Sequence, residues 1–535
     1  MGYMAHIVFA LVAQALVESG AATGWQSVSG VVGLALLPYL LAFATQRAFL
    51  RGRFRLGERL YTLLSWSAPL AFALALLVCG WSFVIGRWTG HAPSFLVWPD
   101  WTAALMVVPF VAYELAAIDA RARISSPPGA RRAWRRFQWR MLAFGVAPVI
   151  LYFLAAAAVG LYEPLRVQVE TVGVWSALFV IVILGSIAWL LPYLLRWTWD
   201  MEPVPEGPQR DLLLSVAELA RFPQPRLFVW KTGGTTANAM VVGVTRQSRI
   251  VLFSDALLEQ MGPSELAAVF AHEMGHAFRR HVPIFAVFVL GFVMLGDLLG
   301  QHWFPDEPFL AGGLMLVMLG IGGLVFGFLS RRFELEADLF SLDVLGEVRS
   351  LMSALEKVGG HFRDIASWRH FSTADRVEFL ARAQVDPNVG RRLRRDLRRA
   401  TYAGILLFAV TGAFQLARVL GAYAEDQVRA DLRLGRYEQA HERVLAMREP
   451  DAELRGLAER GYEVRADGSI AVLAGRALDA LREGDSQGAR AWLQLGALRG
   501  EVDMAVIDGY LAEHADGTVP GEVVQRLSEL SSAER

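Results

Sequence analysis

His272, Glu273 and His276, in the run Ala271-His272-Glu273-Met274-Gly275-His276, are the residues whose types and spacing could do chemistry. On a helix, a spacing of four puts both imidazoles on one face, where their nitrogens can take two of the tetrahedral positions around Zn²⁺. Glu273 then lies beside the open position as a general base. The cation would lower the pKa of a water towards ~7 and polarise a scissile carbonyl. Glu273 would take the proton from that water and deliver it to the leaving amine, which is peptide hydrolysis with one Zn²⁺ per chain. Three fixed positions in five also arise by chance, so a third ligand has to come from elsewhere in the chain.

Cys79 is the single cysteine and lies in an apolar run. That excludes an internal disulfide framework and a cysteine-rich zinc cluster, so any metal must use His and carboxylate. The stretch Ser330-Arg331-Arg332-Phe333-Glu334-Leu335-Glu336-Ala337-Asp338 supplies the carboxylates. Glu334 and Asp338 are four apart, so one helix face can offer Glu334 to the metal and Asp338 to the free ring nitrogen of a ligating His. Glu336 points elsewhere. His281 and His302 adjoin the ends of apolar runs, where an interfacial His is ordinary, and His361 stands alone in loop-like sequence. None of these three is expected to bind metal.

The elements that position these residues belong to a membrane protein. With 54% hydrophobic and 19% charged residues and a mean hydropathy of +0.36, the chain of 535 residues departs from a soluble average. Its net charge is zero and Lys231 and Lys357 are its only lysines, which gives nucleic-acid binding no support. No Arg or Lys precedes the apolar stretch from Ile7 to Val17, so it reads as an interfacial or partial first span and not as a cleaved signal peptide. Runs long enough for a ~30 Å hydrocarbon core follow at Val28 to Thr45, Leu63 to Gly86, Trp101 to Ile118, Met141 to Leu161 and Val172 to Leu195. Val282 to Gln301 and Phe309 to Leu329 form a hairpin around the turn from Trp303 to Pro308, and a weaker run, interrupted by Gln415 and Arg418, spans Tyr402 to Leu420.

Arginines cluster after the first and third of these spans, while the other short loops carry little positive charge, so the Arg-rich loops are read as cytoplasmic. Continuing the count places 200 to 281 and 331 to 399 together on the cytoplasmic side, where the two halves of the metal site can meet, and would carry the tail outside. The ligand helix is expected to begin after Gly262-Pro263, with Ser264 as N-cap. From Ala422 the chain turns polar and helical. Two stretches, 431 to 447 and 481 to 495, each read as helix, Gly turn, helix, as in tetratricopeptide-type hairpins that offer a surface to a protein partner. The expected domains are 1–199 with five or six spans, 200–400 with a hairpin at about 282–330, a last span at 401–421, and a soluble helical domain at 422–535.

These residues resemble the membrane zinc metallopeptidases that include the CAAX prenyl protease and the bacterial heat-shock protease HtpX. Over about 200 to 385, four motifs occur in that family's order: Asn238-Ala239 with Gly243 ahead of a strand at Ile250 to Phe253, HEMGH at 272 to 276, SRRFELEAD at 330 to 338, and the segment from His370 to Val377. The resemblance implies zinc ligation by His272, His276 and Glu334. It also implies that Asn238 and Ala239 lie on an edge strand that pairs with extended substrate, that His370 stabilises an oxyanion, and that Arg376 contacts substrate. Phe371 stands where the family usually has Pro.

The expected fold is therefore mostly α: a polytopic transmembrane helical bundle with a gluzincin-type zinc metalloprotease domain and a C-terminal helical-repeat-like domain. The expected activity is zinc-dependent endoproteolysis of membrane or membrane-proximal polypeptides, in bacterial membrane-protein quality control, from an inner membrane with the zinc on the cytoplasmic side. CAAX-type prenyl-peptide processing is the alternative within the same chemistry, and a non-catalytic scaffold is the alternative outside it. An architecture with HExxH inside a span is disfavoured, because Arg279, Arg280 and His281 follow the motif at once.

Overall fold

In lipid a helix satisfies its own backbone hydrogen bonds, so long apolar runs become spanning helices. The computed structural model describes residues 6, 7, 9, 10 and 13, and residues 27–532 except 90–100, 126–128, 130, 224, 235, 244–247, 306, 361–363, 365–370, 501, 503, 505–507 and 509–520. Most of the stretch from Ile7 to Val17 is thus outside the described residues. Among those described, the molecule is mostly helical. Six helices are long and apolar enough to cross a membrane, or seven if one bent pair is counted as a span, as befits an integral membrane protein.

The chain begins with α1 (Val28–Leu50), α2 (Phe54–Ser65), α3 (Ser67–Leu77), α4 (Trp81–Thr89), α5 (Trp101–Ser125) and α6 (Arg131–Gly160). The run from Leu63 to Gly86, expected as one span, is instead broken twice. α2 and α3 meet at 55°, because Pro69 has no N–H to bond the Ser65 carbonyl and its ring would clash there. Gly80, at φ +61°, then separates α3 from α4. After α7 (Glu163–Thr171) and α8 (Gly173–Thr198), the chain leaves the apolar segments for a small mixed sheet.

That sheet contains β1 (Met201–Pro203), β2 (Arg226–Trp230), β3 (Ala239–Val242) and β4 (Ile250–Ser254), in the order β1-β2-β4-β3, with α9 (Pro208–Leu219) between β1 and β2. β2 and β4 are parallel, and the outer pairs are antiparallel. Every residue of β4 is buried, because both faces of the sheet are covered. Leu227, Ala239, Val251 and Phe253 face a core shared with α9 and the ligand helix. Phe228, Trp230, Ile250 and Leu252 face the ends of α6 and α8, where Trp199 stacks on Trp230 at 4.2 Å.

Then come α10 (Asp255–Gln260), the ligand helix α11 (Pro263–Phe278), α12 (His281–Trp303), α13 (Pro308–Leu345), α14 (Arg349–Gly359), α15 (Thr373–Val385) and α16 (Pro387–Arg433). The weak run at Tyr402 to Leu420 lies within α16. Its Gln415, which interrupts the apolar pattern, donates to Asp297 of α12 at 2.6 Å, so neither polar group faces lipid alone.

The chain divides into two compact units, one of Met1–Leu154 with Leu184–Gln415 and one of Ala155–Ile183 with Leu416–Arg535. The second unit joins α7 to the end of α16 and to the C-terminal helices α17 (Tyr437–Ala446), α18 (Ala452–Glu463), α19 (Ile470–Arg482), α20 (Ser486–Leu498) and α21 (Gly521–Ser532). Arg433 pairs with Glu170 at 2.6 Å, and the Gly173 N–H donates to Asp426 at 3.1 Å. Gly435 and Gly484, at φ +66° and +82°, make the two turns at which successive helices reverse.

Candidate metal centre

α11 begins at Pro263, whose fixed φ suits the first helical position, so Gly262 and not Ser264 is the N-cap. The Gly262 N–H donates to Glu265 at 2.8 Å, and the same carboxylate accepts from Ser353 and Lys357 of α14, each at 2.6 Å. Burial works against the Glu265 charge, but the bonds from Lys357 and Ser353 hold its carboxyl below the usual carboxylate range. This ties α11 to α14. Leu266, Phe270, Ala271 and Met274 turn into the sheet core, which leaves His272, Glu273 and His276 on the opposite, cleft-facing side.

α13 crosses close over this helix. A Cβ on Gly275 would stand 3.0 Å from the Ala337 Cα and 3.0 Å from the Phe340 Cβ, so only glycine permits the approach. Ser341 Oγ donates to the Ala268 carbonyl at 3.0 Å across the same contact. Glu334 thereby meets the histidines: His272 Nε2 and His276 Nε2 are 3.2 Å apart, and each lies 3.7 Å from a Glu334 oxygen. A tetrahedral zinc site with arms of ~2.0–2.1 Å has edges of about 3.4 Å, so the triangle fits such an ion and leaves a fourth position open. Charge agrees with this. Glu273, Glu334 and Asp338 share the site with one guanidinium, Arg376, and a divalent cation would offset the excess.

The two imidazoles are braced from behind in different ways. His272 Nδ1 is 2.8 Å from Asp338 Oδ1. Arg376 in turn grips Asp338 with two bonds, of 2.9 and 2.6 Å, and lies 3.4 Å from Glu334. Arg376 reaches this position because Ser372 and Asp375 form a reciprocal cap, at 3.1 and 3.2 Å, that starts α15. His276 Nδ1 lies 2.8 Å from His281 Nδ1, and His281 Nε2 lies 3.0 Å from Glu336 Oε2. A cation on His276 Nε2 would fix the protons along this chain: His276 Nδ1–H donates to His281, and His281 Nε2–H donates to Glu336. Sequence reading left His281 and Glu336 aside. No residue type signals this role, which depends on the left-handed Arg280, at φ +54°, whose turn folds His281 back beside His276.

Burial, followed by the charge of Glu334, pushes the Glu273 carboxyl up to about 7, against the opposing pull of His272 and Arg376. Burial and the neighbouring His272 push His276 down to about 3, which keeps it neutral and ready to ligate. Burial also acts to lower His272, but the Asp338 carboxylate raises it overall. Arg376 is raised despite burial, by Asp338 first and then by Glu334 and Glu273.

The cleft in front has a volume of about 340 Å³ and apolar walls at Leu351, Leu355 and Val358. Its other side is Ala237, Asn238 and Ala239, where β3 forms the edge of the sheet. The Asn238 carbonyl accepts from Ser254 N at 2.9 Å. By the alternation of an antiparallel ladder, the backbone groups of Ala239 and Val241 then face outwards. Val241 N–H bonds the Glu273 carboxylate. Arg376 lines the cleft, but its fork is engaged by Asp338. His370, the residue singled out for an oxyanion role, lies outside the described residues, as does His361.

Residues 206–398 match the profile of Peptidase family M48. The chain is 32% identical over 174 residues to a CAAX prenyl protease 1 homolog of Arabidopsis thaliana, covering 29% of this chain and 41% of that one. It is 27% identical over 249 residues to Protease HtpX homolog 2 of Methanosarcina acetivorans, covering 43% and 81%. The chain thus spans about two fifths of the length of the plant relative. The crystal structure of S. mikatae Ste24p aligns with 70% of this chain and 98% of its own, at 16% identity and a TM-score of 0.41.

Proposed function

We propose, from the match of residues 206–398 to the profile of Peptidase family M48, that the chain is a zinc-dependent endopeptidase. It cuts membrane or membrane-proximal polypeptides at the cytoplasmic face of a bacterial inner membrane, in quality control of membrane proteins. One observation carries the reading: two imidazoles and a carboxylate stand at tetrahedral spacing, with Glu273 beside them in a cleft edged by a strand with outward-facing backbone. The Arg-rich short loops support the cytoplasmic side.

Zn²⁺ held by His272, His276 and Glu334 would supply a Lewis acid for the scissile carbonyl and acidify a water. The chain does the rest. Extended substrate adds to the edge of β3 at Ala239, beside Asn238, and its side chains rest on Leu351, Leu355 and Val358. Glu273, whose carboxyl burial raises in the metal-free site and whose ionised form a bound cation would favour, takes a proton from the attacking water and passes it to the leaving amine. Asp338 holds the His272 ring, and Arg376 holds Asp338.

In Glu273→Gln, zinc measured by mass spectrometry should stay at one per chain while cleavage of a membrane-protein substrate falls by ~10²–10⁴-fold. Unchanged cleavage would leave a scaffold whose metal is structural. The identity with CAAX prenyl protease homologs favours one second reading, release of a prenylated tripeptide. A farnesylated peptide cut much faster than its unmodified twin would select it.

A further inference from the structure

A second cavity, of about 390 Å³, lies between the first turns of α6 and the end of β2, away from the metal cleft. That volume is within the ~300–1,000 Å³ of small-ligand sites. Three of its walls are Arg132, Arg136 and Arg140, spaced four apart and therefore on one face of α6. Arg140 pairs with Asp200 at 2.8 Å. Among the described residues, Arg132 and Arg136 are exposed and have no ion-pair or hydrogen-bond partner. Trp199, another wall, is 7% exposed, and its Nε1 is a buried donor with no acceptor. A buried N–H without a partner costs free energy that an anionic oxygen would recover.

The level of the site in the membrane is set by its neighbours. α6 and α8 are both spanning candidates, and the pocket sits where they emerge. Trp139, next to Arg140, and Trp197, two residues before Trp199, are 50% and 81% exposed, as in the aromatic belt at headgroup depth. We infer that this pocket binds the phosphate of an anionic phospholipid headgroup, with Arg132 and Arg136 on the phosphate oxygens and the Trp199 indole N–H as a further donor. Phosphate is the shared chemistry of two sources, lipid and free anion. The position at the interface and the aromatic wall favour lipid.

The test uses full-length protein in detergent, titrated with short-chain phosphatidylglycerol, phosphatidylcholine or inorganic phosphate and read by native mass spectrometry. Phosphatidylglycerol should bind at least about tenfold more tightly than phosphatidylcholine, and the double substitution Arg132→Gln/Arg136→Gln should remove that preference. Both side chains are exposed, so the fold should be kept. Arg51→Gln/Arg53→Gln, on another Arg-rich loop, should leave the preference intact. Equal loss in both double variants would mean general surface charge and overturn the site. Inorganic phosphate bound as tightly as the lipid would overturn the lipid assignment, and equal binding of the two lipids would overturn the charge argument.

Discussion

His272 and His276 share a helix and present the same nitrogen to the same point, yet different chemistry holds each of them. Behind His272 stands a fully buried carboxylate, Asp338, clamped by Arg376 from α15. Behind His276 stands a second imidazole, His281 of α12, and only behind that a carboxylate, Glu336. A carboxylate in direct contact fixes the ring and strengthens its donor nitrogen, whereas an imidazole fixes the ring and passes on less charge. His272 is thus the more firmly held and more basic ligand. The two-carboxylate pattern of α13 serves both supports, since Asp338 and Glu336 come from the same helix.

The largest effect should come from breaking the first support. Asp338→Ala leaves the buried Arg376 with only the longer contact to Glu334, at 3.4 Å, a loss of ~3–5 kcal/mol. Chelator competition should show zinc affinity down by ~10–100-fold, with a lower Tm. Next is Gly275→Ala, which forces a methyl to within 3.0 Å of the α13 backbone. It should cost ~1–3 kcal/mol, and it moves Glu334 relative to both rings at once, so zinc affinity should fall even though no ligand or support has changed. His281→Phe removes only the second support. Its ring stacks on Phe333 at 4.2 Å, and Phe retains that packing. Zinc affinity should fall about tenfold, and Tm should drop less than in Asp338→Ala, because Glu336 keeps Arg279 at 3.7 Å. Equal losses in His281→Phe and Asp338→Ala would abolish the distinction between the two supports.

The front of the site was legible because a helix converts spacing into direction. His272 and His276, and Glu334 and Asp338, are each four apart, and an apolar hairpin between the pairs returns the second to the face of the first. The support behind His276 was not legible, because it depends on one left-handed residue, Arg280, which turns the chain so that His281 falls beside His276. Nothing in the residue types around it announces that turn. Arg376 matched a motif, but its partner is Asp338, 38 residues away, and motif order alone gives no partner. The pairing of α7 with the end of α16, between residues more than 250 apart, is likewise invisible to periodicity. The break at Pro69 was open to inspection, yet the uninterrupted apolar composition read as one span.

Proton counting sharpens the comparison by the smallest signal. At pH 6 the metal-free site holds a proton on Glu273, because burial has raised its carboxyl to about 7. His272, raised above its ordinary value by Asp338, holds a second. His276, at about 3, holds no extra proton. Zn²⁺ requires a free Nε2 on His272 and favours an ionised Glu273, so binding should release protons from these two groups and none from His276. Calorimetry in buffers of different ionisation enthalpy should then find about one proton fewer released in Glu273→Gln. The share of the release that comes from Glu273 should fade as pH rises past 7, where its carboxyl is already ionised before metal arrives. Release that grows with pH, or that is unchanged in Glu273→Gln, would mean that the unequal charge behind the two imidazoles does not govern their protons.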